Sequence, residues 1–424
     1  MSPPSLPQQL SIIGLGYVGL PLAVALARHY KVIGYDLSKR RVEELRKGHD
    51  RTHEVPDADV AASTCQYEFD AAKMAGSDLY IVAVPTPVDD NRKPDFGPVV
   101  GACEAVGPLL KTGDIVCFES TVYPGATEEI CAPILERLSR MKCGKEFFLG
   151  YSPERINPGD PVNTLANIVK VVAGQNDAVG KILADVYGKV TKAGVFMARN
   201  IATAEAAKVI ENAQRDINIA FINEVTQIFN RLGLSIYDVL DAAKTKWNWL
   251  PFQPGLVGGH CIGVDPYYLA ERAIQIGYQP IVVLAGRNTN DGMGQWLADC
   301  IDTQLGSRPS NILVLGLTFK ENVPDLRNSG VANVLAGLQK AGHKVSVHDA
   351  FADPAEAKHE YGVDLTPDLN GTYDAVVAAV AHRPYVEFDV ARIRRLMPNG
   401  GLVADIKGIW RQHEFASPLR VWRP

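Results

Sequence analysis

Over roughly the first 150 residues, short apolar runs alternate with stretches of helical spacing. The runs at 10–14, 31–35, 79–84, 115–119 and 146–151 are dominated by apolar residues and lead into Gly, Pro, Ser or Asp. Runs of that kind, separated by helical stretches, predict a parallel sheet covered by helices, with strand ends facing a ligand crevice. The pattern changes near residue 200. From 203 to 232, Ala206, Ile210, Ala213, Ile217, Ala220, Val225 and Ile228 fall close to the helical period, which predicts one long central helix.

Gly233 is a stop for that helix, Ser235 a cap for the next, and a loop rich in Trp, Pro and Gly runs from 246 to 263. More helix is expected up to about 305. The stretch 306–310 reads as a linker, and strand–helix alternation returns with strands at 312–316, 344–348, 375–380 and 401–405. The fold expected is α/β, with two Rossmann-like doubly wound domains (1–200 and 306–424) joined by a central helical domain (201–305). There is no short internal repeat, although the two α/β ends are candidates for a shared architecture.

Composition narrows the class of function. A chain of 424 residues with 46% hydrophobic and 21% charged residues has the length of two to three ordinary globular domains. A formal net charge of -5, with Lys and Arg scattered, gives no footprint for nucleic acid. The first nine residues are Pro-rich and uncharged, without the basic flank and apolar segment of a signal peptide. No apolar run approaches the roughly 20 residues that cross a bilayer. These features predict a cytoplasmic enzyme with no membrane span. The seven cysteines lack metal-ligand spacing, so no metal is expected, and they suit a reducing compartment in which each thiol is judged by its surroundings.

Candidate chemistry lies at two places. Gly14-Leu15-Gly16-Tyr17-Val18-Gly19 follows a strand, precedes the helical run 21–29, and is answered by Asp36 at the end of the second strand. Gly14 permits the turn, Gly16 lets a pyrophosphate approach the backbone, Gly19 allows close helix packing, and Asp36 is placed to hold a ribose diol. A carboxylate there repels a 2′-phosphate, which favours NAD over NADP, with Lys39 and Arg40 as the opposing signal. The second place is Gly258-Gly259-His260-Cys261-Ile262-Gly263-Val264-Asp265, where glycines expose a thiol and a carboxylate follows four residues on. Lys208 and Asn212, four apart on the long helix, offer a cation and an amide to one point. A solvated helix face is the plain alternative for Lys208, but its neighbours Ala206, Ala207, Val209 and Ile210 are apolar.

With these motifs the chain resembles the UDP-glucose and UDP-N-acetylhexosamine 6-dehydrogenases over nearly its whole length. The resemblance rests on the glycine loop, Val84-Pro85-Thr86-Pro87, Glu119-Ser120-Thr121, Ser152-Pro153-Glu154-Arg155, Lys208 with Asn212, the stretch from Gly258 to Asp265, and Gly316-Leu317-Thr318-Phe319-Lys320. The wording of Lys246-Trp247-Asn248-Trp249-Leu250-Pro251-Phe252 and of Glu154-Arg155-Ile156-Asn157-Pro158-Gly159-Asp160 is most like the branch acting on UDP-N-acetylglucosamine or UDP-N-acetylgalactosamine. UDP-glucose and UDP-N-acetylmannosamine stand as alternative substrates.

The resemblance implies a four-electron oxidation of a sugar C6 hydroxymethyl to the acid with two NAD, feeding surface polysaccharide synthesis. Cys261 is then the covalent nucleophile. Lys208 and Asn212 stabilise oxyanions, Asp265 orients water or accepts protons, Glu154 matches the glutamate of the hydrolytic step, and Thr121 positions a water. It further implies cofactor contacts from Tyr17, Val18, Arg41, Pro85, Thr86, Ser120, Thr121 and Arg327. Substrate contacts are implied from Glu154, Arg155, Lys208, Asn212, Gly258, Phe319, Lys320 and Lys407, and from Trp249 and Phe252 in a loop over the sugar. A core role is the alternative for Trp247 and Trp249. The family is typically dimeric through the long helix, so a homodimer or larger homo-oligomer is expected. One departure is Ala350 after Val347-His348-Asp349, where the family pattern has Pro.

Two other classes of function remain to be separated. A two-electron hydroxyacid dehydrogenase shares an NAD domain and a long helix but has no use for Cys261, and it yields one NADH per substrate rather than two. A nucleotide-sugar sensor binds both ligands without turnover.

Overall fold

The computed structural model describes residues 5–89, 91–155, 162–259 and 261–424. His260 and the stretch 156–160 of the quoted motifs lie outside the described residues. The chain divides into two compact units: Met1–Glu211 with Tyr267–Tyr278, and Asn212–Pro266 with Gln279–Pro424.

The first unit is built on eight strands: β1 Gln9–Ile13, β2 Lys31–Tyr35, β3 Gln66–Glu68, β4 Leu79–Val82, β5 Ile115–Phe118, β6 Phe148–Tyr151, β7 Lys170–Gly174 and β8 Val195–Met197. They form one sheet in the order β3-β2-β1-β4-β5-β6-β7-β8, parallel except where β6 meets β7. The order reverses at β1, between β2 and β4, and that reversal is the switch point outside which nucleotides bind in such sheets. The strands are apolar on both faces because helices cover both. Leu10, Ile12, Leu79, Ile81 and Cys117 meet Leu20, Leu22, Ala23 and Leu26 of the helix Gly19–Leu26 in one cluster, all essentially without solvent contact. Each buried aliphatic side chain contributes about 1.5–3 kcal/mol. The polar exception in β1, Ser11, is satisfied by Ser77, Oγ to Oγ at 2.8 Å.

The second unit carries β9 Asn311–Leu315, β10 Lys344–His348, β11 Ala375–Ala378, β12 Gly401–Asp405 and β13 Leu419–Trp422. This sheet is wholly parallel in the order β10-β9-β11-β12-β13, again reversing at its first strand. Its two faces bury separate clusters. One is built on Met293, Leu297 and Ile301 of the helix Ile281–Gln304 and on Val334 and Leu338; the other is built on Tyr385, Phe388 and Trp410.

The long helix runs Ile201–Arg231, within two residues of the expected 203–232 at its start and one at its end. Ser235 caps the helix Ile236–Ala243, its Oγ accepting from Asp238 N at 3.4 Å. The architecture is the expected one: mixed α/β, two doubly wound sheets, parallel but for the β6–β7 pair, and one long helix.

Candidate active site

In the first unit the strand-to-helix turn after β1 is set by glycine geometry. Gly14 has φ +93, and its N–H donates to Tyr35 O at 2.8 Å. A Cβ on Gly19 would sit 1.8 Å from Gly14 O, so the helix can start there only without a side chain. Gly16 differs: a Cβ built on it meets nothing within 4 Å. The protein's own packing does not demand glycine at 16, but a close-approaching ligand does. The helix beginning at Gly19 has no side-chain cap and no acidic residue in its first turn, which leaves its N-terminal amides for an anion. Asp36 is fixed by two backbone donors, Leu15 N to Oδ2 at 2.9 Å and Ser38 N to Oδ1 at 2.8 Å. Its carboxylate is thus oriented as a ribose acceptor. These residues fit a dinucleotide.

Arg41 is buried beneath the same loop. Its Nε donates to Leu15 O at 2.9 Å and its Nη2 pairs with the fully buried Asp50 at 2.8 Å, so it shapes the glycine turn from below. Pro85 is exposed and Thr86 half-buried after β4. Ser120, buried after β5, donates from Oγ to Val84 O at 2.7 Å and so ties the two strand ends together; Thr121 follows it half-buried.

Glu154 lies in a buried polar cluster that the sequence did not announce. Lys170 Nζ, at the start of β7, is 2.5 Å from Glu154 Oε2 and 3.3 Å from Glu119 Oε1, and Tyr187 OH donates to Glu119 Oε1 at 2.5 Å. Burial, reinforced by Glu154's charge and opposed by Lys170, holds the Glu119 carboxyl above the usual range. Arg155 turns instead to the long helix, where its Nη2 donates to Lys208 O at 2.5 Å and its Nε pairs with Glu211. Lys208 itself is buried on that helix. The buried start of a strand was the one available signal for Lys170, and a single Lys before Val-Val-Ala-Gly is too weak to raise it.

In the second unit, Asn212 and Asp265 are both buried and joined, Nδ2 to Oδ2 at 2.6 Å. Asp265 N donates to Cys261 O at 2.9 Å, so the thiol-bearing turn and the carboxylate are one rigid piece. Cys261 is exposed, whereas burial pushes Cys65 and Cys117 up to about 12 and Cys300 to about 11. The glycines before it are needed for contact. A Cβ on Gly258 would lie 2.6 Å from Asn328 O, and one on Gly259, at φ +79, 2.9 Å from the Phe319 ring.

The loop 316–322 repeats the geometry of the first unit's turn. Gly316, at φ +98, donates to His348 O at 2.8 Å, and Leu317 N donates to Asp349 Oδ2 at 2.6 Å, as Gly14 and Leu15 do to Tyr35 and Asp36. Here the carboxylate is spent on protein, accepting also from Thr318 N, Phe351 N and Ala352 N. Burial alone would raise Asp349, but His382 and the Leu317 and Thr318 amides hold it well below the carboxylate range. Phe319 and Lys320 project from this loop half-buried. Arg327 is forked on Asp325 at 2.8 and 2.6 Å. Lys407 is half-buried with no hydrogen-bond or ion-pair partner among the described residues, close enough to Gly255 that a Cβ there would lie 3.0 Å from Nζ. Burial lowers its ammonium against the opposing pull of Glu321. A desolvated cation beside a glycine fits a phosphate ligand.

The two tryptophans separate. Trp249 and Phe252 pack on Ile222, Ile236, Tyr237 and Leu240 in a small satellite core, while Trp247 is 96% exposed.

Comparison with known proteins settles the family. Residues 8–191 match the NAD binding domain of the UDP-glucose/GDP-mannose dehydrogenase family, 202–292 its central domain and 313–412 its UDP binding domain. The chain belongs to that family. Among its relatives are protein CapL of Staphylococcus aureus, 48% identical with 98% of this chain and 99% of that protein covered, and UDP-N-acetyl-D-glucosamine 6-dehydrogenase of Pseudomonas aeruginosa, 46% identical with 94% and 96% covered. The solved UDP-D-ManNAc dehydrogenase of Pyrococcus horikoshii superposes with a TM-score of 0.87 at 25% identity, covering 97% of this chain and 98% of that one. This dehydrogenase is therefore an NAD-dependent oxidoreductase of nucleotide sugars. No helix among its described residues is long and apolar enough to cross a membrane.

Proposed function

We propose that this dehydrogenase oxidises the C6 hydroxymethyl of a UDP-N-acetylhexosamine to the carboxylate, with Cys261 as nucleophile. The observation that carries the reading is the exposed thiol whose backbone is anchored to the buried Asn212–Asp265 pair. The N-acetyl preference rests on the Trp247–Phe252 wording and on relatives at 44–46% identity named UDP-N-acetyl-D-glucosamine 6-dehydrogenases.

Two NAD molecules, bound one after the other at the glycine loop and Asp36, would each accept one of the two hydrides. The first oxidation takes a hydride from C6 while the hydroxyl proton passes to Asp265, giving an aldehyde. The Cys261 thiolate then adds to the carbonyl carbon and the electron pair moves to oxygen, where Lys208 and Asn212 stabilise the charge. Loss of the second hydride re-forms the carbonyl as a thioester. Water adds to it, the C–S bond breaks, and the thiolate leaves with the acid released; Glu154 serves this hydrolytic step, Thr121 positions a water, and Asp265 orients water or accepts protons. Asn212, bonded to Asp265, keeps its second amide hydrogen for the oxyanion.

Asp36, Gly16, Tyr17, Val18, Pro85, Thr86 and Ser120 serve the cofactor in this reading, with Arg41 acting through the loop and Arg327 toward the phosphates. Phe319 stacks on the base, and Lys320 and Lys407 take the diphosphate, with Arg155, Gly258, Trp249 and Phe252 shaping the sugar site. Domain limits near 200 and 305 are part of the proposal, as is a cytoplasmic enzyme making polysaccharide precursors. A homodimer is inferred from exposed Phe221, Ile228, Ile281 and Val282, an apolar surface that a partner copy would cover.

The test is product stoichiometry with a UDP-sugar panel. Two NADH per UDP-N-acetylhexosamine are expected, with no acid from Cys261→Ala and a slow ester on Cys261→Ser visible by mass spectrometry. Undiminished acid from the Ala variant, or one NADH per sugar, overturns the mechanism.

A further inference from the structure

We infer that His382 is a positioning residue for the substrate loop of the second unit, cinching both ends of the short span that carries Phe319 and Lys320. It rests on the reading that this span binds the uridine diphosphate.

His382 follows β11 at the C-terminal edge of the sheet and has no solvent contact. Its Nδ1 lies 2.9 Å from Asn322 N. A backbone N–H can only donate, so Nδ1 carries the lone pair and the proton sits on Nε2. That Nε2–H faces Thr318 Oγ1 at 3.0 Å and Asp349 Oδ2 at 3.1 Å. Thr318 in turn donates from Oγ1 to Lys320 O at 2.9 Å, leaving a lone pair for the imidazole. One neutral tautomer therefore satisfies every contact, and the ring grips residue 318 through its hydroxyl and residue 322 through its amide.

The grip has a load to hold. Asn322 is at φ +59, a left-handed backbone conformation that side chains other than Gly, Asn and Asp rarely adopt. Its Oδ1 accepts from Arg383 N at 2.8 Å, the residue after His382, so the far end of the loop is tied twice to the same turn. Phe351 stacks obliquely on the imidazole at 4.9 Å, and Tyr385 closes its other side edge-on at 5.5 Å. None of these contacts needs ligand. They hold the loop ready beforehand, and an ordered loop spares a ligand the ordering cost on binding.

The measurement is UDP binding by calorimetry and KM for the UDP-sugar, set beside kcat and NAD affinity. His382→Phe keeps the ring volume and loses both hydrogen-bonding atoms; UDP Kd and sugar KM are expected to rise about tenfold, with kcat and NAD affinity within about twofold. His382→Gln, which restores one acceptor and one donor, should recover much of the loss. Thr318→Val, the milder perturbation should the Phe variant not fold, is expected to raise both constants roughly threefold. Unchanged UDP affinity in folded His382→Phe or in Thr318→Val sinks the inference, as does an equal loss of NAD affinity. Lys320→Ala and Phe319→Ala separate the two readings: if neither weakens UDP, the loop is not the diphosphate site; if both do and the His382 and Thr318 variants do not, only the positioning role fails.

Discussion

Lys170→Met tests the buried cluster of the first unit in the most demanding way. Lys170, Glu119 and Glu154 have side chains between 0% and 6% exposed, so solvent screening does little for them. Removing the ammonium leaves two carboxyls facing each other, one of which, Glu119, already has its Oε2 buried without a partner among the described residues. Breaking a buried pair from one side costs about 3–5 kcal/mol. For a unit of this size each kcal/mol lowers Tm by about 2–4 °C, so the fall should be roughly 6–20 °C at neutral pH. The pH dependence has a definite sign. Glu119 titrates above its ordinary 4.5 when folded, burial being the first cause, so the folded state binds that proton more tightly than the unfolded state. Stability from such a group is present at low pH and is lost as pH rises from 4.5 toward the folded value. Lys170 opposes that rise, so deleting it deepens the loss, and the gap from the wild type should be narrow near pH 5 and wide near pH 8. The assay is calorimetry across pH, following the transition that NAD shifts upward. Lys170→Met with Glu119→Gln should regain most of the loss. A deficit below about 2 °C, or one of equal size at pH 5 and pH 8, refutes the charge arrangement.

Two further outcomes follow from the glycine and tryptophan geometry. Gly19→Ala, whose Cβ meets Gly14 O at 1.8 Å, should lower Tm and abolish NAD binding, while Gly16→Ala, with open space around it, should leave Tm unchanged and weaken NAD alone by about tenfold; titration and thermal unfolding distinguish them. Trp249→Ala should cost about 3 kcal/mol through loss of the satellite core, against less than about 0.5 kcal/mol for Trp247→Ala, as read by chemical unfolding.

The strands that carry the switch points were legible because a strand buried on both faces is apolar along nearly its whole length, as in β4 and β11 and, but for Gln9, Ser11 and Asn311, in β1 and β9. β3, β8 and β13 were not, since Gln-Tyr-Glu and Val-Phe-Met are three residues long and Leu-Arg-Val-Trp places charge at a sheet edge. β7 was hidden by its opening Lys170, a charge that only the facing Glu119 and Glu154 make tolerable indoors. The glycine loop with Asp36 could be placed because its spacing is itself the geometry. Whether Trp247 or Trp249 turned inward could not, because identical residues two apart differ only in what tertiary structure brings against them. His382 and Asp349 escaped for the same reason: their meaning lies in contacts over 30 or more positions.

The unequal treatment of the seven thiols makes this enzyme its own chemical reporter. With burial disarming Cys65 and Cys117, the Cys103 hydrogen bond and burial disarming Cys131, and partial burial raising the half-buried Cys143 and Cys300, a mild alkylating reagent should mark the exposed Cys261 first on the intact protein. The number of labels taken up then counts folded against opened molecules, and, if Cys261 serves the proposed role, a fluorophore tethered there should change its light when a nucleotide sugar binds.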